Sequence, residues 1–202
     1  EKFSDLEFVD FGGGFGIPYR PEQQALDMTD LSQKMTRRFT EFRQSYGRDI
    51  TMKIEPGKFL VGPAGILLTT VTNITDTPKY RFVGVDSGFN HLVRPTMYGS
   101  YHKILNASRF SGEEEDVVVV GNICESGDIF SRSGEEIKRN LPSPEIGERL
   151  AFLDVGAYGF SMSSQYNFRP RPAEVLVHQG QSRLIRRAES FEDLTQGFVD
   201  FN

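Results

Sequence analysis

Residues 6–16 read LEFVDFGGGFG, an apolar run that ends in a loop of four glycines. The apolar run predicts a β-strand, and the glycines predict a loop at its carboxyl end. Farther along, apolar residues recur at spacings of three and four, which predicts one face of a helix: Met28, Leu31, Met35, Phe39, Phe42 and Tyr46. We expect Thr29 or Asp30 to cap this helix and Gly47 to end it. The run ITMKI (50–54) predicts a second strand, and this order of elements predicts two parallel strands joined by a crossover.

After residue 60 the sequence becomes a series of short β-rich runs separated by Gly, Pro, Asp and Asn. The runs are GILLTTVTNI (65–74), YRFVGVDS (80–87), DVVVVGNIC (116–124), ERLAFLDVG (148–156) and AEVLVHQG (173–180). This pattern predicts an antiparallel barrel or sandwich, whereas GEEED (112–116) is predicted to be a surface loop. We therefore divide the chain at residue 60, into 1–60 and 61–202. The first unit is too small to fold as a domain, so we expect a large N-terminal portion to precede it.

The composition excludes several classes of function. The chain has 202 residues and a net charge of −5 without a clustered basic stripe, which argues against nucleic acid as a partner. Its single cysteine, Cys124, cannot form an internal disulfide, so a reducing, cytoplasmic location is expected. We find no signal peptide and no apolar run of the ~18 residues that a membrane span needs. His91, His102 and His178 show no metal-ligand spacing, so no metal site is expected.

The glycine loop is a candidate anion site. Consecutive glycines let backbone N–H groups converge on a phosphate, although Ile17 and Tyr19 stand where a dinucleotide fingerprint needs glycine. The second strand ends at Glu55, and the crossover places this carboxylate on the same rim as the loop. A carboxylate would repel a bare anion, so the ligand should carry a cationic group as well as a phosphate. Pyridoxal phosphate, with its ring nitrogen, has both groups.

Other motifs allow two interpretations when each is taken alone. Arg94 and Tyr98 are four residues apart and could bind a carboxylate, or be a surface Arg and a packed Tyr. Tyr158, in GAYGFSMSSQYN (156–167), could donate to a phosphate or pack in the core. Cys124 could be a small core residue or a reactive thiol.

In combination, five segments resemble the diaminopimelate decarboxylases. The segments are DFGGGFG (10–16), EPGKFLVGPAG (55–65), VDSGFNHLVRPTMYGSYH (85–102), CESGD (124–128) and GAYGFSMSSQYNFRPRPAEVLV (156–177). The resemblance implies a pyridoxal phosphate enzyme that converts meso-diaminopimelate to L-lysine and CO₂. It also implies a mixed α/β homodimer, in which residues 1–60 are the last part of a (β/α)₈ barrel and 61–202 form a mainly antiparallel β-domain.

The resemblance also implies roles for single residues. The phosphate and ring nitrogen of the cofactor would be bound by Gly13, Gly14, Glu55 and Tyr158. The distal carboxylate and amino group of the substrate would be bound by Lys58, Arg94, Tyr98 and Glu125. Cys124 would be the proton donor and would reach across the dimer into the partner's site.

This sequence departs from the family at three places. Lys58 stands where Arg is usual, so a point charge replaces a bidentate group, and His91 stands where Asp is common. The Tyr-Ala-x-Lys-Ala-Asn segment, whose lysine binds the cofactor covalently, does not occur here. We therefore expect a C-terminal half that is inactive alone. Two alternatives stay open: a related decarboxylase of D-ornithine, D-lysine or a carrier-linked amino acid, and a non-catalytic binding or scaffold module.

Overall fold

The computed structural model describes residues 3–199. Strand β1 (Phe8–Asp10) pairs in parallel with β2 (Thr51–Lys53), and helix α1 (Met28–Tyr46) connects them. The predicted strand–helix–strand unit is therefore confirmed. Gly47 ends the helix as predicted, with a left-handed φ of 77° and an N–H that donates to the Arg43 carbonyl.

The predicted cap of α1 was wrong. Asp27 lies at the N-cap position in an extended conformation, and its carboxylate accepts the N–H groups of Thr29 and Asp30. Thr29 and Asp30 are already inside the helix. A carboxylate two or three residues upstream satisfies their otherwise unpaired N–H groups and complements the helix dipole.

Six strands form one sheet that is nearly closed into a barrel. They are β3 (Leu67–Asp76), β4 (Arg81–Val85), β5 (Ile104–Asn106), β6 (Glu114–Val120), β7 (Arg139–Pro142) and β8 (Arg149–Phe152), in the order β5-β8-β3-β4-β6-β7. Every neighbouring pair is antiparallel except β4 and β6, which are parallel. The edge strands β5 and β7 approach each other, since the Asn106 side chain donates to the Pro142 carbonyl at 3.4 Å.

Alternate residues of these strands fill the barrel. The buried side chains are mainly β-branched or aromatic: Val71, Val83, Val85, Leu92, Val117, Val119, Phe130, Leu141, Leu150 and Phe152. Phe130 and Phe152 pack with ring centroids 4.7 Å apart. The run of four valines, 117–120, is apolar throughout because Val118, on the opposite face of β6, is buried too.

The prediction of a surface loop at 112–116 was wrong in its second half. Glu114 to Asp116 begin β6 and pair with β7, because Glu115 lies opposite Leu141. Beyond the barrel, β9 (Glu174–His178) and β10 (Gln181–Arg186) form an exposed antiparallel hairpin, followed by the short helix α4 (Phe191–Thr195). No helix within residues 3–199 combines the length and apolar character needed to cross a membrane.

Candidate active site

The glycine loop and Glu55 meet at the carboxyl edge of the two parallel strands. The N–H of Glu55 donates to the carbonyl of Gly12 at 2.8 Å. A Cβ added to Gly13 would lie 2.9 Å from the Glu55 carbonyl oxygen, which is closer than real Cβ contacts. Gly12 and Gly14 have φ values of 68° and 87°, where glycine alone is unstrained. Gly12, Gly13 and Gly14 are therefore each required by the local geometry.

This loop presents free backbone donors. Within residues 3–199, the N–H groups of Gly13 and Gly14 donate to no protein acceptor. A Cβ at Gly14 would meet no atom within 4 Å, so the space beside the loop is open. Two unpaired N–H groups near an acidic residue, Glu55, fit a ligand that carries both a phosphate and a protonated ring nitrogen. A cleft of about 310 Å³ adjoins Gly13 and Gly14 on the side of α1, and its remaining lining is apolar.

A second cluster gathers two cations around one tyrosine. Lys58 lies on the short helix α2 (Gly57–Val61) and Arg94 begins the short helix α3 (Arg94–Tyr98). Lys58 Nζ is 5.6 Å and Arg94 Cζ is 5.8 Å from the ring centroid of Tyr19. Arg94 Cζ is also 5.6 Å from the ring of Tyr158 and 6.0 Å from that of Tyr98. The structure thus brings together three residues predicted to bind substrate, Lys58, Arg94 and Tyr98, with one predicted to bind the cofactor, Tyr158. Glu125, the fourth predicted substrate-binding residue, is not part of this cluster.

Tyr19 is the member that the sequence interpretation missed. In the sequence, Tyr19 marks only a position that breaks a dinucleotide fingerprint. Its hydroxyl accepts a hydrogen bond from Arg94 Nη2 at 3.4 Å. Burial raises the pKa of Tyr19, and the Arg94 charge opposes this rise. The signal for Tyr19 in the sequence was an aromatic residue shortly after the glycine loop.

His102 packs against the ring of Tyr19. Its ring is fully buried and meets the Tyr19 ring edge-on, with centroids 5.5 Å apart. Nδ1 donates to the Leu153 carbonyl at 2.9 Å. Burial lowers the pKa of His102 to about 4, and the nearby Arg94 charge acts in the same direction. His102 therefore adds no positive charge to the cluster at neutral pH.

The position of Tyr158 is fixed by the close approach of two backbone segments, at Gly65 and Gly156. A Cβ on Gly65 would lie 2.4 Å from the Cα of Gly156, and one on Gly156 would lie 1.9 Å from the Val61 carbonyl oxygen. The loop after β8 thus lies directly on the segment that follows α2. Tyr158 itself has a left-handed φ of 59°, a conformation that is uncommon for a bulky residue and frequent at functional sites.

The segment CESGD (124–128) forms a loop anchored by its last residue. The buried carboxylate of Asp128 accepts the N–H of Phe89 at 2.7 Å and that of Ile123 at 2.8 Å. Burial raises the pKa of Asp128, and these two hydrogen bonds oppose the rise. Gly121 is required beside it, because a Cβ there would lie 2.3 Å from the Asp128 carboxylate.

Cys124 and Glu125 project from this loop to the surface. Cys124 is a free, exposed thiol, so the interpretation as a core residue was wrong. Glu125 accepts the Gly127 N–H at 3.1 Å, and the Tyr166 hydroxyl donates to it at 3.4 Å. Within residues 3–199, no hydrogen bond or ion pair joins Cys124 or Glu125 to the glycine loop.

Helix α3 separates the two groups. Arg94 and Tyr98 are four residues apart and share one face of the helix, whereas Thr96 lies on the other. The Thr96 hydroxyl donates to the Gly127 carbonyl at 2.8 Å, which ties the loop with Cys124 to that opposite face. The loop that carries Cys124 is therefore attached to α3 on the side opposite Arg94.

His91 is held in place by two hydrogen bonds. Its Nε2 donates to the Pro170 carbonyl at 3.0 Å, and Nδ1 accepts from the Ser87 hydroxyl at 2.8 Å. Burial lowers the pKa of His91. Within the described residues, no group of three or more His, Cys, Asp or Glu side chains could hold a metal ion.

Comparison with known proteins places these features in one family. The family model described as "Pyridoxal-dependent decarboxylase, C-terminal sheet domain" matches residues 19–156. Diaminopimelate decarboxylase from Methanothermobacter thermautotrophicus is 50% identical over 96% of this chain and 44% of its own length. The Escherichia coli K12 enzyme of the same name is 42% identical over 94% of this chain and 47% of its own. The chain therefore spans about half the length of these curated relatives.

Comparison with solved structures supports the same family assignment. A crystal structure of diaminopimelate decarboxylase matches with a TM-score of 0.87 at 41% identity, covering 95% of this chain and 47% of that one. The M. jannaschii enzyme matches with a TM-score of 0.88 at 38% identity, covering 97% and 44%. Lysine/ornithine decarboxylase from Vibrio vulnificus, at 21% identity and a TM-score of 0.67, shares the fold over 82% of this chain and 42% of that one. The chain belongs to the pyridoxal-dependent decarboxylases, and its β-barrel is the C-terminal sheet domain of that family.

Proposed function

We propose that this chain is the C-terminal part of a diaminopimelate decarboxylase, which converts meso-2,6-diaminopimelate to L-lysine and CO₂ with pyridoxal phosphate. The observation that carries the proposal is the glycine loop and Glu55 meeting at one edge of two parallel strands. The relatives of this name, up to 50% identical over 96% of the chain, support the choice of substrate. Crystal structures of the M. jannaschii and Helicobacter pylori enzymes are complexes with L-lysine.

Four residues of this chain would hold the cofactor. Gly13 and Gly14 bind its phosphate through their free N–H groups, and the Tyr158 hydroxyl adds a third donor. Glu55 accepts a hydrogen bond from the ring nitrogen and keeps it protonated. When bound, the cofactor supplies an electron sink for the electron pair that the departing CO₂ leaves behind.

The cations around Tyr19 would hold the distal carboxylate of the substrate. Arg94 and Lys58 are both half-buried and close to one ring, so a carboxylate between them would meet two positive charges. Tyr98, on the Arg94 face of α3, adds a hydroxyl. Glu125 would accept the distal ammonium group of the substrate.

Cys124 would donate a proton to the α-carbon from which CO₂ has left. Its exposure, and the position of its loop on the face of α3 opposite Arg94, support action on a neighbouring site. We therefore propose a homodimer in which Cys124 and Glu125 of one subunit complete the site of the other. An exposed thiol persists in a reducing compartment, which supports a cytoplasmic location.

The architecture implied is a barrel followed by a sheet domain. We propose that residues 1–60 contribute the last strands of a (β/α)₈ barrel, because β1 and β2 are parallel and carry the glycine loop and Glu55 at their carboxyl ends. Residues 61–202 then form the β-rich domain.

The test is the release of CO₂ by the full-length protein with pyridoxal phosphate. We expect turnover of meso-diaminopimelate to exceed that of D-lysine and D-ornithine by at least about tenfold. A preference for either of those would assign a related decarboxylase instead. No turnover of any of the three, by a protein that binds the cofactor, would favour a scaffold function.

The shared site has its own test. A Cys124→Ala subunit and a subunit lacking the cofactor-binding lysine should each be inactive as homodimers. Mixed under conditions where subunits exchange, they should regain activity, because one site of each heterodimer has both groups intact. Exchange without recovered activity would rule out a site completed by the partner.

A further inference from the structure

We propose that Tyr19 is the specificity-determining positioning residue of this site: its ring and hydroxyl hold Lys58 and Arg94 together as one receptor for a carboxylate. The inference rests on the proposed function and extends it. Tyr19 would act through the two cations, and it would select substrates whose distal end carries a carboxylate.

The position of Tyr19 is fixed by its neighbours in sequence. Ile17 packs so closely on the segment after α2 that a Cβ on Gly62 would lie 2.9 Å from Ile17 Cδ1. Pro18 restricts the backbone immediately before Tyr19. The loop that carries Tyr19 is thus docked beside the helix that carries Lys58.

The two cations have no carboxylate partner. Within residues 3–199, neither Lys58 nor Arg94 takes part in a salt bridge. The Nε of Arg94 is buried and also has no partner there. Half-buried positive charges without a counter-ion are costly, and a bound carboxylate would relieve this cost.

The ring of Tyr19 makes this pair possible. Both cationic centres lie within 6 Å of its centroid, the range in which an aromatic face attracts a cation. The hydroxyl additionally accepts from Arg94 Nη2. The neutral ring of His102 contacts the Tyr19 ring edge-on without adding charge. Lys58 supplies only a point charge, so its placement depends on this ring.

L-Lysine and cadaverine are the probes, because they differ by one carboxylate. We expect Tyr19→Leu to weaken L-lysine binding to the holoenzyme about tenfold, as two cation–π contacts and a hydrogen bond are lost. Cadaverine binding should stay within about twofold. KM for meso-diaminopimelate should rise in parallel with the Kd for L-lysine, while kcat changes little. Calorimetric titration measures both ligands independently of turnover.

Tyr80→Leu is the matched control. The Tyr80 ring also lies near two lysines, with Lys79 Nζ at 5.0 Å and Lys138 Nζ at 5.8 Å, but it belongs to the turn before β4. This variant should leave both affinities unchanged. If Tyr19→Leu weakens L-lysine and cadaverine equally, or neither, the proposal is wrong.

A second substitution keeps the shape of the ring in case Tyr19→Leu does not fold. Tyr19→Phe should retain most of the L-lysine affinity. Trifluorophenylalanine at position 19, whose ring face no longer attracts cations, should lose it. Equal affinities for these two would overturn the inference. Failure of the wild-type enzyme to decarboxylate meso-diaminopimelate would instead overturn the proposed function.

Discussion

Gly13 lies where two backbones touch. The carbonyl of Glu55 occupies the place that any side chain at position 13 would need. The same proximity keeps the backbone of Glu55 next to the loop. The glycine is thus needed for packing and, in our proposal, for the cofactor.

Gly13→Ala should therefore reduce the affinity for pyridoxal phosphate. The added Cβ must push the loop and Glu55 apart, which costs on the order of 1–3 kcal/mol, and tenfold in affinity corresponds to about 1.4 kcal/mol. Fluorescence titration of the full-length protein measures this change. Gly16→Ala is the control, since a Cβ there meets nothing within 4 Å and its φ is not left-handed. Equal affinities for the two variants would contradict the role of Gly13.

Cys124→Ala separates chemistry from packing. We expect kcat of the full-length enzyme to fall by ~10²–10⁴-fold, the contribution of a positioned proton donor. Tm should change by less than about 2 °C, because the thiol is exposed and fills no cavity. Steady-state kinetics and calorimetry give the two values. A lower Tm with unchanged kcat would assign Cys124 to packing after all.

The sequence predicted candidate site residues through their chemistry, but it did not single out Tyr19. The glycines, Glu55 and Arg94 are recognisable because their chemical types suit a phosphate, a protonated ring nitrogen and a carboxylate, respectively. A tyrosine in a loop has many possible environments, and only the fold shows which one it has. The exposure of Cys124 was equally undecidable, since it follows a buried strand by only a few residues.

At the level of elements, α3 and the loop 124–128 act as a unit. The Thr96 hydroxyl holds the Gly127 carbonyl, and Asp128 holds the backbone at Phe89. Both contacts fix the direction in which Cys124 leaves the barrel. The geometry of the thiol therefore depends on residues that need not touch substrate.

Asp128→Asn should expose this dependence. The amide keeps one acceptor oxygen but turns an NH₂ group toward one of two backbone donors, at a cost of about 1–3 kcal/mol. Urea unfolding should show that loss, and kcat should fall because the Cys124 loop is displaced. Asp116→Asn, an exposed change on β6, serves as the control. Asp128→Asn with wild-type stability and kcat would show that the loop does not need this anchor.

Strands that lie in clear apolar runs were predictable, whereas the others were not. The predicted runs contain β4, β8 and β9 and overlap most of β3 and β6. β5, β7 and β10 were missed. β5 and β7 are only three and four residues long, and β7 reads Arg-Asn-Leu-Pro, so pairing with distant partners rather than local propensity makes them strands.

For the whole molecule, the buried His102 links stability to pH. Its pKa of about 4 lies below the ordinary 6.5. Between these values the unfolded chain binds a proton that the folded chain excludes. The free energy of unfolding therefore falls as pH drops through this window, by on the order of 3 kcal/mol. His91 contributes in the same direction.

His102→Gln should flatten this dependence without abolishing it, since His91 remains. Urea unfolding of the full-length protein between pH 4.5 and 7 measures the slope. His178→Gln, at an exposed position, should leave the slope unchanged. Parallel curves for wild type and His102→Gln would show that His102 is protonated equally in both states.

The parallel pairing of β4 with β6 also has a kinetic consequence. A hairpin cannot join parallel strands, so residues 86–113, which include α3 and Arg94, must first be gathered into a closed loop. Loop closure costs entropy before the strand contacts repay it, and folds rich in such distant pairings are slow to form. The barrel should therefore assemble more slowly than a meander of the same size. The segment that carries Arg94 lies inside this loop and is enclosed when β4 and β6 pair.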